Sequence, residues 1–250
     1  MSSALKELPK FTEVPGGLFG RLRSVNRAIE KGARNSGRRV PPRLVAVSKK
    51  QPVEKIYAAY QGGLRHFGEN YVQELSSKAW DLQFGDYDEI KWHFIGHLQS
   101  NKIKQLLSVN QLWMVESVDS IKLADLLNKH WGLDDRDEKL NVMVQVNTSR
   151  EEGKSGCSPE KCLEVAQFIS EDCESLNLSG VMTIGKFGHD YSLGPNPDFL
   201  TLINCRKALH KSLTKKMELS MGMSDDFVEA ISYGSTNVRV GTAIFGPREQ

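Results

Sequence analysis

The sequence predicts one α/β domain, a TIM-type (β/α)8 barrel with an extra N-terminal helix ahead of its first strand. Three observations carry this: the length, an eightfold alternation of strand and helix patterns, and polar residues gathered at strand ends. The 250 residues, 39% of them hydrophobic, suffice for one substantial core, and no linker, internal repeat or low-complexity tract divides them. A single domain over residues 1–250 is expected, with the barrel proper at about 16–246.

Short β-rich runs recur at Leu44–Val47, Leu64–Phe67, Trp92–Ile95, Leu112–Val115, Val142–Val146, Val181–Ile184, Met217–Met221 and Val238–Val240. Between them lie segments of helical period, such as Ile121, Ala124, Leu127 and His130, or Cys162, Val165, Ala166 and Ile169, each long enough to cross back over a sheet. Leu18, Leu22, Val25 and Ile29 form an apolar stripe ahead of the first strand, opened by Gly16-Gly17. Alternation argues for a parallel sheet and eight units argue for closure, although periodicity alone leaves a doubly wound open sheet as the alternative.

Lysine and arginine total 33 against 31 aspartates and glutamates, interspersed to a net charge of +2, so no basic face announces nucleic acid or an anionic membrane. The first thirty residues lack the apolar run of a signal peptide, and Glu7 and Glu13 are out of place in an acid-poor transit peptide, so a cytoplasmic location is expected. Cys157, Cys162, Cys173 and Cys205 form no C-x-x-C pair and read as reduced, structural thiols. Without a secretion signal, the sequons at Asn147 and Asn177 are chance matches.

Barrel active sites lie at the C-terminal ends of the strands. The residues there are Ser48 and Lys49; Gly68, Glu69 and Asn70; Gly96 and His97; Glu116 and Ser117; Asn147; Gly185; Gly222 and Ser224; and Gly241 and Thr242, with Arg239 inside the last strand. A lysine rooted in an apolar strand at the mouth sits where desolvation favours the neutral amine, which can attack a carbonyl. Lys50 is its rival, since only one of two consecutive strand residues faces the axis and the pattern does not say which. Met221–Asp226 reads as a strand end, a flexible glycine and a serine N-cap opening a helix; with Gly241-Thr242 across the mouth it forms a candidate phosphate cradle. Gly153-Lys154-Ser155 fails as a P-loop because Thr148 stands where the first glycine belongs. His93 and His97 flank a strand end, too far apart to share a metal, and no metal site is expected. Glycines and prolines from Gly185 to Pro197 predict a lid beyond strand six.

Five motifs, in order from about Leu44 to Gly246, then carry a resemblance: Leu44-Val45-Ala46-Val47-Ser48-Lys49; His66-Phe67-Gly68-Glu69-Asn70; Trp92 to Gln99 with Asn101-Lys102; Leu219 to Asp226; and Val238 to Gly246. They resemble those of the YggS/PROSC-type pyridoxal phosphate homeostasis proteins, and the chain looks like a eukaryotic member. The resemblance implies a barrel like the N-terminal domain of bacterial alanine racemase, with pyridoxal 5′-phosphate (PLP) as a Schiff base on Lys49 rather than Lys50. It further implies that Ser224, Gly241 and Thr242 bind the phosphate, that Arg239 faces the pyridine nitrogen and that Asn70 lies beside the ring. Members of the family are described as carriers or regulators of vitamin B6 pools, which makes apo PLP-dependent enzymes candidate partners.

An arginine can donate to the pyridine nitrogen but cannot receive its proton, and its charge disfavours protonating that nitrogen, so the electron sink is weak. An amino-acid racemase, the alternative, needs a second acid/base on the opposite face of the substrate. In alanine racemases that group is a tyrosine from a further domain of a partner; here about ten residues follow Arg239, and Tyr71, Tyr191 and Tyr233 have no supporting pattern. A lysine aldolase acting on sugar phosphates would use a similar barrel lysine. A PLP carrier without robust catalytic activity, acting as a monomer, is the expected function.

Overall fold

The chain is described here by a computed structural model, which covers residues 17–82, 87–133, 136 and 138–247. Gly16 and the rest of the first sixteen positions of the expected domain lie outside the described residues. The apolar stripe becomes α1 (Leu18–Asn35), which starts at Gly17 and buries Leu22, Val25 and Ile29. Eight parallel strands then close on themselves in sequence order, with β1 (Arg43–Val47) paired to both β2 (His66–Glu69) and β8 (Asn237–Val240). The other strands are β3 (Lys91–Phe94), β4 (Leu112–Val118), β5 (Leu140–Gln145), β6 (Leu176–Met182) and β7 (Glu218–Ser220). Closure through the β1–β8 pairing excludes the open-sheet alternative.

The crossover helices are α2 (Val53–Gln61), α3 (Val72–Leu82), α4 (Ile103–Leu107), α5 (Ile121–Trp131), α6 (Cys162–Asp172), α7 (Pro197–Leu213) and α8 (Phe227–Ser232), and a short α9 (Thr242–Phe245) follows β8. Their apolar faces pack on the outside of the strands to make the main core, which holds the four buried, free cysteines. Among the described residues no helix is long and apolar enough to cross a membrane.

Strand six differs most from expectation, starting five residues earlier than the Val181–Ile184 run. Its first half carries Asn177 and Ser179, polar residues that a hydrophobicity pattern rejects, yet Asn177 donates to Asn141 of β5 (2.7 Å) and Lys215 donates to Asn177 (2.9 Å). Glu69, Glu116 and Ser117, expected beyond strand ends, lie inside β2 and β4 for the same reason. Most barrels of this type fill their interior with branched aliphatics. This one has a cluster of Met114, Met143 and Met182 against Trp113, with polar side chains taking much of the remaining space.

Candidate functional site

Burial and backbone conformation separate the two lysines that follow β1. Ser48 is fully buried and donates to Glu69 Oε1 (2.7 Å); Lys78 of α3 donates to the same oxygen (2.7 Å), to the Ser48 carbonyl (2.7 Å) and to Glu74 Oε1 (2.6 Å). Since α3 covers the outside of the barrel, Ser48 and Glu69 face outward and the alternate strand positions Val47 and Gly68 face the axis; Lys49 and Asn70 follow just beyond the two strand ends, at the mouth. Lys50 is exposed with a left-handed φ of 58°, and its amide donates to Glu74 (2.5 Å). Lys49, half-buried, thus stands at the barrel mouth on a segment anchored from behind by a buried ionic cluster. Burial pushes the Glu69 carboxyl above its ordinary range, and Lys78 and Ser48 offset only part of that.

The register pairs Val47 with Gly68, which brings Asn70 alongside Lys49. Asn70 Oδ1 is buried with no hydrogen-bond partner, an acceptor directed at the mouth rather than satisfied by the fold. The pairing of Ala46 with Val240 likewise sets Gly241 and Thr242 against the end of β1.

Across the mouth, Gly222 turns the chain out of β7 with φ 95°; a Cβ there would lie 2.5 Å from Ala230 Cβ, so only glycine fits. Ser224 is not the helix cap that the sequence pattern suggests. The helix opens later, at Phe227, and Asp226 instead accepts from the Met223 amide (2.6 Å), closing a turn before it. The Ser224 hydroxyl is left to accept from the Gly241 and Ala243 amides (3.2 and 3.4 Å). The Ser224 hydroxyl, the Gly241 and Ala243 amides that it accepts from, and exposed Thr242 thus lie together on this side of the mouth.

Arg239 is buried in the interior beneath these groups, donating from Nη1 to Ser220 Oγ (2.5 Å) and from Nη2 to the Thr183 carbonyl (2.7 Å). Ser220 continues to Glu116 (2.5 Å), which accepts from His93 Nδ1 (2.6 Å), whose Nε2 meets His66 Nδ1 (2.8 Å). Residues of β2, β3, β4, β7 and β8 meet here, and strands that are not neighbours can touch only through the barrel lumen. Desolvation lowers His66 to about 3 and holds His93 below its ordinary value; hydrogen bonds and the nearby Arg239 overcome burial to hold Glu116 at about 2.

Sequence reasoning placed Asn70, His97 and Asn147 at strand ends but missed the rest of the opposite wall. A cavity of about 130 Å³ at the mouth is lined by Asn70, His97, Asn147, Thr148, Lys154 and Ser155 among others. Lys154 donates to the Gly185 carbonyl (3.0 Å), and Ser155 meets His97 (3.2 Å), so the failed P-loop look-alike forms part of the wall. Asn147 at the end of β5 was the signal available. His93 and His97 point to different partners, Glu116 and Ser155. Of the three tyrosines weighed for proton transfer, Tyr71 begins the segment into α3, half exposed, and Tyr191 lies between β6 and α7. Tyr233 follows the last residue of α8, its ring against Phe199 in the first turn of α7.

A family model described as the alanine racemase N-terminal domain matches residues 26–249. The human pyridoxal phosphate homeostasis protein is 48% identical over 235 residues, covering 91% of this chain and 86% of its own. A solved structure of an unknown protein from Bifidobacterium adolescentis superposes with a TM-score of 0.82 at 36% identity, covering 91% of this chain and 94% of that one. PipY of Synechococcus elongatus, solved with PLP bound, gives a TM-score of 0.76 at 29% identity, covering 92% of this chain and all of that one (100%). At this identity and coverage, spanning the barrel and its polar mouth together, the chain belongs to the pyridoxal phosphate homeostasis protein family.

Proposed function

We propose that this protein holds PLP at the C-terminal mouth of the barrel, attached covalently through Lys49, and acts as a carrier and regulator in vitamin B6 homeostasis. What supports the reading is the convergence on one mouth of a half-buried lysine, an unpartnered buried acceptor on Asn70, a buried arginine, and the Ser224 hydroxyl with the Gly241 and Ala243 amides. The relatives' names and the PLP-bound PipY support the same ligand. PLP supplies an aldehyde for a primary amine and a ring that delocalises negative charge.

Each residue then has a distinct task. Lys49 presents the amine, and the buried cluster of Ser48, Glu69 and Lys78 fixes the backbone that carries it. Asn70 Oδ1 offers an acceptor to a ring hydroxyl. Ser224, Gly241 and Thr242 hold the phosphate, and Arg239 faces the pyridine nitrogen. Its permanent charge keeps that nitrogen unprotonated, which suits retention of the cofactor more than carbanion chemistry. A monomer in a reducing, cytoplasmic environment that hands PLP to apo-enzymes completes the reading, and four buried free thiols suit that compartment.

A phosphomonoester carries about two negative charges near neutral pH, and no lysine or arginine stands between Gly222 and Asp226 to neutralise them. Amides and hydroxyls therefore supply the binding. Ser224→Ala combined with Thr242→Val is expected to weaken PLP retention by about tenfold or more, worth ~1.4 kcal/mol. Arg239→Gln should alter absorbance while leaving most PLP bound. PLP stoichiometry after dialysis, with spectra across pH, checks both; the reverse pattern would turn the ring around in the site and refute this assignment.

The Gly185 to Pro197 segment is the lid of this site. Gly185, Gly188 and Gly194 take positive φ, Phe187 and Leu193 are exposed, and a single 3-10 turn (Tyr191–Leu193) is its regular structure. Hydrogen exchange across it should slow when PLP is added. Equal, fast exchange with and without PLP would reduce it to a surface loop.

A further inference from the structure

Glu116 and Ser220 hold no part of the cofactor in the reading above, yet they sit at the centre of the barrel's buried hydrogen bonding. The direction of every proton in the chain can be worked out. Arg239 and the Asn237 amide nitrogen are donors only, and both reach Ser220 Oγ (2.5 and 2.9 Å). With both lone pairs so engaged, the Ser220 hydroxyl must give its proton to Glu116 (2.5 Å). The carboxylate also accepts from Asn237 (3.1 and 3.2 Å) and from His93 Nδ1. A neutral His93 protonated on Nδ1 has an acceptor at Nε2, so His66 donates from Nδ1. Protons from Ser220, Asn237 and His93 all point at Glu116. A single hydroxyl, Ser220, bridges this carboxylate to the Arg239 guanidinium. The other charges nearby leave that relation intact: Asp226 attracts Arg239 from the β7–α8 segment, while Arg43 and Glu218 pair with each other (2.6 Å) on the far side of Asn237.

We propose that Glu116, acting through Ser220, is a positioning residue for Arg239: it fixes the guanidinium in one orientation and supplies the buried counter-charge that sets the field at the cofactor ring. This rests on the reading that Arg239 faces the pyridine nitrogen. A second anchor, the Thr183 carbonyl, fixes the other arm of the fork, so the guanidinium cannot pivot while both bonds stand. Removing the Glu116 charge leaves the arginine charge less compensated, and removing the bridging hydroxyl lets the guanidinium drift from its counter-charge. Protonation of the bound cofactor then becomes harder.

The experiment compares PLP-loaded Ser220→Ala, Ser220→Thr, Glu116→Gln and Arg239→Gln with the unaltered protein, reading the pH midpoint of the visible absorbance band and the thermal midpoint without PLP. Glu116→Gln is expected to move the pH midpoint down by about one unit, the scale of one nearby buried charge, and Ser220→Ala, which loosens the guanidinium but removes no charge, in the same direction by less. Ser220→Thr, which keeps the hydroxyl, should restore it. If Ser220→Ala and Glu116→Gln lower the thermal midpoint but leave the pH midpoint where it was, the residues are structural and the proposal falls. Should Glu116→Gln fail to fold, the Ser220 pair decides alone. A shift in Arg239→Gln without one in the Ser220→Ala variant overturns the positioning role only; no shift in Arg239→Gln removes the placement of Arg239 at the ring and the proposal with it.

Discussion

Replacing Lys49 by alanine is expected to cut PLP retention after dialysis by roughly a hundredfold or more, because a covalent bond is lost together with the contacts it aligns. Borohydride reduction of the PLP-loaded protein, followed by peptide mapping, should place the pyridoxyl label on Lys49. Lys50 provides the control. It is exposed with φ 58°, a conformation that asparagine tolerates, so Lys50→Asn should keep both fold and cofactor. A label on Lys50, or full retention by Lys49→Ala, would overturn the attachment point.

The second large effect is on stability. His66 is held neutral to about pH 3 by desolvation, reinforced by His93, Arg43 and Lys91, and His93 is lowered in the same direction. Below pH 6.5 the unfolded chain therefore takes up protons that the folded chain refuses, and stability falls as the pH drops from about 6.5 towards 3. Glu116, held at about 2, adds a loss that starts below the ordinary carboxylate value near 4.5. The His66 contribution alone reaches up to about 5 kcal/mol over that window, comparable with the whole stability of many domains. Urea midpoints at pH 7.5, 5.5 and 4.5 should fall steeply, and less steeply in His66→Gln. An unchanged slope in that variant would show that the ring is not the titrating group.

The sequence by itself determined the alternation of strands and helices and much of the mouth, while closure into a barrel was decided by the β1–β8 pairing. Strand and helix periods are local properties, so the order of elements, the α1 stripe and the placement of Lys49, Asn70, Gly241 and Thr242 at strand ends could all be read along the chain. Where the barrel interior is polar, that reading shifted. Asn177 and Ser179 hid the start of β6, and Glu116 passed for a residue beyond its strand, because an inward polar side chain breaks the apolar pattern that marks a strand. The tertiary structure alone decided the partners. Glu116 meets Asn237 at 121 positions' separation and Ser220 at 104, and Lys78 reaches back 30 positions to hold the Ser48 carbonyl. Ser224, a helix cap by local pattern, instead takes amides 17 and 19 residues away. Closure of the barrel creates these contacts by bringing strand interiors and mouth loops together, and a buried charge is tolerated only where the finished fold surrounds it with donors.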